Sequence, residues 1–141
     1  MNDLERKFCA MPVDFKVLEE VLKAEDWVSA AWLFGSSSNG IVRPGSDVDI
    51  AVLTVRKPSL DEHLELQANL AEATAEEVDL VVINDASSIL RFEALQGRSL
   101  YCQDLSQRAV FASWTAREYE DDMALAERGL KAWREAQGVD G

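Results

Sequence analysis

The chain has 141 residues and a net charge of -12, from 26 acidic side chains against 14 Lys and Arg. That length suits one domain able to bury a core without disulfides. The charge excludes a broad grip on a nucleic-acid backbone, which needs clustered Lys and Arg, and favours a basic protein or a cationic small molecule as partner. No apolar run approaches the roughly 18 residues of a membrane span. The charged start, Met1 to Lys7, is not followed by the apolar stretch of a signal peptide. Cys9 and Cys102 show no metal-ligand spacing, and His63 is the only histidine, so a His-based catalytic pair within the chain is excluded. A cytoplasmic protein with reduced thiols follows as the expectation.

Val13, Val17 and Val21, with Leu18 and Leu22, recur at helical spacing and predict a first amphipathic helix over 13–24, with Asp14 as N-cap or first-turn acid after Pro12. The apolar run from Trp27 to Phe34 predicts a first strand. A polar loop follows and ends in two carboxylates, Asp47 and Asp49, before a second apolar run, Ile50 to Val55. If a strand begins at Asp47, alternation places both acids on one face, with Cα atoms roughly 6.6 Å apart. Hard oxygen ligands of this kind suit Mg²⁺, which is usually held by one or two carboxylates together with the phosphates of its substrate. A nucleotide is therefore the natural guest.

Gly35 and Ser36 stand where the first strand ends. A glycine followed by small polar residues lets backbone N–H groups approach an anion, which reads as a phosphate cradle facing the metal site. Arg43, the one cation of the loop, and Ser46 are the further candidate nucleotide contacts. Gly40, Pro44 and Gly45 mark turns between them.

Leu60, Leu64, Leu66 and Leu70 predict a second helix over 60–73 after Pro58 and Ser59. The run from Val78 to Ile83 predicts a third strand with Asp79 inside it, and a carboxylate buried there would need a partner. A metal shared with Asp47 and Asp49 supplies one. The alternation of helix and strand indicates an α/β protein: a small mixed sheet with helices on one face and the site on the other. Asp85 to Ser88 offers N-caps for a short helix through Leu95, ended by Gly97, and Ser99 to Cys102 predicts a short fourth strand. Arg91 and Arg98 read first as surface ion pairs, with contact to the nucleotide or the partner as the alternative. From Leu105 to Ala136 the chain predicts one long helix or a bent pair. Part of it either docks another chain or wraps its own domain. The expected organisation is a single domain over 1–141, with 105–136 as a C-terminal helical segment.

Gly-Ser, ten residues, Asp-x-Asp, and then an Asp on a strand about thirty residues later resemble the nucleotidyltransferase superfamily that includes DNA polymerase beta. The short length resembles its minimal members, the MntA-type antitoxins of HEPN/MNT toxin–antitoxin pairs. The likeness extends more loosely through 89–95 and 97–101. It departs at Ser37, where many members carry a basic residue. The resemblance implies a Mg²⁺-dependent enzyme, with two ions held by Asp47, Asp49 and Asp79 and the ATP triphosphate on Gly35 and Ser36. It implies transfer of AMP to a tyrosine hydroxyl of a cognate HEPN-type toxin ribonuclease in a hetero-oligomer. Two other readings stand beside it: an antitoxin that masks the toxin by binding alone, and an adenylyltransferase for an aminoglycoside-like small molecule.

Overall fold

A strand that is apolar at every position but one, Ser29, needs cover on both faces, and the strand β2 (Val28–Phe34) is buried at all seven of its residues. In the computed structural model, which describes residues 11–35, 41–42 and 47–138, β2 is an inner strand. It lies between β4 (Val48–Thr54) and β6 (Arg98–Cys102), antiparallel to both, while β5 (Val78–Val82) pairs parallel with β4 at the edge. The four-stranded order is β5-β4-β2-β6. Two-residue strands, β1 (Met11–Pro12) and β3 (Ile41–Val42), pair separately and were not legible in the sequence pattern.

The helices fill the two faces unequally. Helix α1 (Phe15–Lys23) contributes Leu18 and Leu22, and α2 (Leu60–Thr74) contributes Leu66 and Leu70, to a core against Val28, Leu33, Ile50 and Leu80. The second face, which the sequence reading left open for the site, is covered as well. Ala94 of α3 (Ser88–Leu95) and Phe111 of α4 (Leu105–Ala136) pack there on Ala30, Trp32, Phe34, Ala51 and Leu53. Trp32 and Phe111 stack with ring centroids 6.4 Å apart. Both Trp27 and Trp32 are core residues. The site is consequently confined to one end of the sheet.

Local chemistry sets the helix starts. Asp14 accepts from the N–H groups of Lys16 and Val17, as its position after Pro12 suggests, while Ser59 and Glu62 form a reciprocal capping box at α2. Ser87 and Asp104 cap α3 and α4. Arg91 is not the surface residue its charge suggested. It is 6% exposed and pairs with Glu118 of α4, its long stem buried against the core. The Arg98 guanidinium lies 3.7 Å above the Phe15 ring, a cation–π contact that joins β6 to α1.

α4 is one continuous helix of 32 residues. Its first half is tied to α3 by the Arg91–Glu118 pair, by Ser88 Oγ donating to Asp122, and by Phe92 and Tyr119 stacked 4.0 Å apart. From Ala124 to Gly138 every residue is exposed. Among the described residues no helix is long and apolar enough to cross a membrane.

Just past β5, Asn84 continues the sheet by side chain. Its Oδ1 accepts from the Thr54 N–H at 2.9 Å and its Nδ2 donates to the Thr54 carbonyl at 2.8 Å, closing the end of β4 with an amide in place of backbone. A net hydrogen bond contributes about 1 kcal/mol. Asn84→Ala should therefore lower stability by about 2 kcal/mol in a urea titration, while a site at the opposite end of the strands keeps its ligand affinity.

Candidate functional site

The geometry of the site follows from one rung of the sheet. β4 and β5 run parallel in a register that sets Val48 beside Val78, Asp49 beside Asp79 and Ile50 beside Leu80. Neighbouring strands lie about 4.8 Å apart and side chains at one rung share a face, so the two carboxylates stand side by side. Alternation along β4 puts Asp49 on the same side as Ala51 and Leu53, the side of α3 and α4. Asp47 is one step before β4 with its side chain exposed. Residues some thirty positions apart in the chain thus meet at the start of two strands.

Asp79 corrects one expectation. It is exposed, between buried Val78 and buried Leu80, so it is no buried charge in search of a partner. Period-two alternation places it beside Asp49, and the cost of burial plays no part. Asp49 is the half-buried member. Burial raises its carboxyl above the ordinary range, and the negative charges of Asp79, Asp47 and Glu93 push it further the same way.

Glu93 was not singled out by its place in the sequence, where it is an ordinary polar position of α3. It comes near because the chain turns tightly after α3. A Cβ on Gly97 would collide with the Leu33 carbonyl oxygen and lie 3.0 Å from Phe34 Cβ, so only glycine lets the chain pass this close over the end of β2. Phe34 is in turn the cross-strand partner of Asp49.

Gly35 closes the site from the end of β2. Its φ of +73° belongs to the left-handed region, and a Cβ there would collide with Asp49 Oδ2 and lie 3.3 Å from Asp49 Cγ. The glycine is demanded by its left-handed backbone and by the carboxylate beside it. Ser36, Arg43 and Ser46, the other candidate nucleotide contacts, lie outside the described residues. Among the described residues no three His, Cys, Asp or Glu side chains are grouped closely enough to cage a metal ion. The donor set is nevertheless all oxygen, and Asp49 carries repulsion that a divalent cation would relieve. That chemistry fits an ion which keeps several waters and shares its shell with substrate phosphates.

Two consequences can be measured. Because the folded-state pKa of Asp49 is raised, its negative charge opposes folding at neutral pH, and protonation on acidification removes that opposition. Asp49→Asn should raise the melting temperature in chelator at pH 7, with the gain over the parent shrinking as pH falls through the carboxylate range. Gly35→Ala meets both the left-handed backbone and Asp49, and should lower stability by at least about 1–2 kcal/mol in chemical denaturation.

Comparison with known proteins agrees with this geometry. A family model described as polymerase beta, nucleotidyltransferase, matches residues 16–106, from α1 to the start of α4. The protein adenylyltransferase MntA of Shewanella oneidensis is 39% identical over 71 residues, which are 50% of this chain and 51% of that protein. The matched stretch thus spans about half the length of this curated relative. Among solved structures, a toxin–antitoxin MntA–HpeT complex, in a mutant with two aspartates spaced two apart replaced by glutamate, superposes with a TM-score of 0.68 at 28% identity. It covers 88% of this chain and 94% of that one. A toxin–antitoxin structure with AMP-PNP gives 0.66 at 28% identity over the same shares. The tri-AMPylated Shewanella oneidensis HEPN toxin in complex with MNT antitoxin gives 0.59 at 26%, covering 87% and 94%. With the family model spanning well over half its length, this chain belongs to the polymerase beta nucleotidyltransferase family.

Proposed function

We propose that this chain is an antitoxin that transfers AMP from ATP to a tyrosine hydroxyl of a cognate HEPN-type toxin and so neutralises it. The observation that carries the reading is the shared rung of Asp49 and Asp79, with Gly35 against Asp49. Support comes from relatives at comparable length, one solved with AMP-PNP and one with a tri-AMPylated toxin. The chain acts in this reading as a single domain over 1–141, in the cytoplasm and in a hetero-oligomer, with 105–136 as its helical extension.

Asp47, Asp49 and Asp79 are the proposed carboxylates of a Mg²⁺ site, and Gly35, Ser36, Arg43 and Ser46 the proposed contacts of the triphosphate. Magnesium, when bound, would neutralise phosphate charge and stabilise the entering and leaving oxygens of an in-line displacement. The protein's own task is placement. Gly35 presents backbone beside Asp49 at the end of β2, where a side chain would fill the space an anion needs. Asp79, exposed on the outer strand, is the proposed acceptor of the proton of the incoming tyrosine hydroxyl. The tyrosine oxygen then bonds the α-phosphorus, the bond from that phosphorus to the bridging oxygen breaks, and pyrophosphate leaves. No covalent enzyme intermediate is needed, since positioning and charge neutralisation account for the acceleration.

The reaction is tested by weighing the intact toxin after incubation with this protein, ATP and Mg²⁺. The mass should rise by whole AMP groups, and Asp49→Ala or Asp47→Ala should slow the transfer by at least about 10²-fold. Equal AMP addition by parent and variants ends the catalytic assignment. Inhibition of the toxin with no change of mass selects masking by binding instead. The net charge of -12 points to a basic toxin surface, so raising salt from 50 to 500 mM should weaken the complex about tenfold or more by titration calorimetry.

A further inference from the structure

Beyond the domain edge, α4 carries an apolar seam that no described residue covers. Met123, Ala126, Leu130 and Trp133 follow one another at three- and four-residue steps, and this row prolongs the side of the helix on which Phe111, Thr115 and Tyr119 meet the sheet and α3. Met123 is half-buried, while Leu130 is 49% and Trp133 59% exposed. A free helix of about fifteen residues is marginal in water by itself. Its exposed Trp and Leu stand opposite small neighbours, Ala126 and Gly129, and nothing lies within 4 Å of a Cβ built on Gly129.

The charges beside the seam indicate the occupant. One flank carries Glu120, Glu127 and Arg134, and the other carries Asp122, Gly129 and Ala136. In a parallel pair of such helices Asp122 would face Glu127 of the second copy, like against like. In an antiparallel pair the flank of Glu120 and Glu127 meets its own equivalent: Arg134 of each copy faces Glu120 of the other, two attractive pairs against the single meeting of Glu127 with Glu127 at the two-fold axis. The same arrangement sets Met123 opposite Trp133 and Ala126 opposite Leu130, large against small or flexible, twice over through the two-fold axis. The segment is also locally basic, with Arg128, Lys131 and Arg134 against Glu127 and Glu135, in a chain that is strongly acidic elsewhere.

We propose that this protein forms a two-fold dimer through antiparallel pairing of the exposed half of α4, with Met123, Ala126, Leu130 and Trp133 as its core. The pairing is independent of nucleotide transfer, because the seam lies beyond the domain edge and uses none of the residues assigned to the site.

The full chain, without any partner, is followed by sedimentation equilibrium from low to high micromolar concentration at low salt. The mass should climb from 15.7 kDa toward twice that value. Leu130→Glu and Trp133→Glu should each raise the dissociation constant at least about tenfold, with circular dichroism checking that the sheet domain stays folded. Arg134→Glu should weaken the dimer, and Glu120→Arg added to it should restore pairing, which a merely structural role of either side chain would not produce. A chain that stays monomeric at every concentration overturns the proposal and assigns the seam to another protein or to the first ten residues. A dimer indifferent to all four substitutions overturns it as well.

Discussion

Everything at the site depends on a parallel pairing that holds two like charges at one rung. Asp49 and Asp79 are neighbours because β4 and β5 share a register enforced by their apolar residues. Sliding β5 by one residue would turn Val78 and Leu80 out of the α1–α2 core and Asp79 into it. The fold therefore holds repulsion between carboxylates in place with hydrophobic packing. Local repulsion with an oxygen-only donor set is what a divalent cation and a polyphosphate would together relieve. The carboxyl of Asp49 is raised first by its burial and then by the charges of Asp79, Asp47 and Glu93.

Gly35 and Gly97 show how the backbone serves this rung. Both lie where the chain passes the end of β2, one touching Asp49 and the other touching the Leu33 carbonyl. Neither could bear a side chain without moving a strand or a carboxylate. Gly35 and the turn after α3 thus meet at the end of β2 beside the start of β4, and Glu93 comes with that turn. Helices on both sheet faces leave this end as the place where strand termini and charge are accessible together, in line with the family to which the chain belongs.

Much of this was legible in the sequence, for identifiable reasons. Alternation and turn residues located the four main strands and the helices to within a residue or two, because β2, β4 and β5 are apolar enough to leave few alternatives. Asp14 announced its cap by residue type and position, whereas Ser59 was read only as the start of its segment and its capping box with Glu62 is added by the structure. Asp79 was singled out by its place in an apolar run as a buried charge needing a partner, but it is exposed, and what the structure shows is its position beside Asp49 across the ladder. Arg91 was misread because charge alone suggests the surface, whereas Glu118, 27 residues later, supplies its partner only once α3 and α4 are packed. The cover on the second sheet face escaped notice because it comes from sparse residues, Ala94 and Phe111, in helices with no long apolar stripe. Glu93 had no local signal, since its proximity is created by the Gly97 turn.

The most direct test of the central claim is calorimetric titration of a non-hydrolysable ATP analogue with Mg²⁺ into the parent and Asp79→Asn proteins. A shared cation site predicts that magnesium-dependent binding is strong in the parent and weakened at least about tenfold when the outer carboxylate of the rung is neutralised. Binding that is equally tight in both, or indifferent to magnesium, would contradict it.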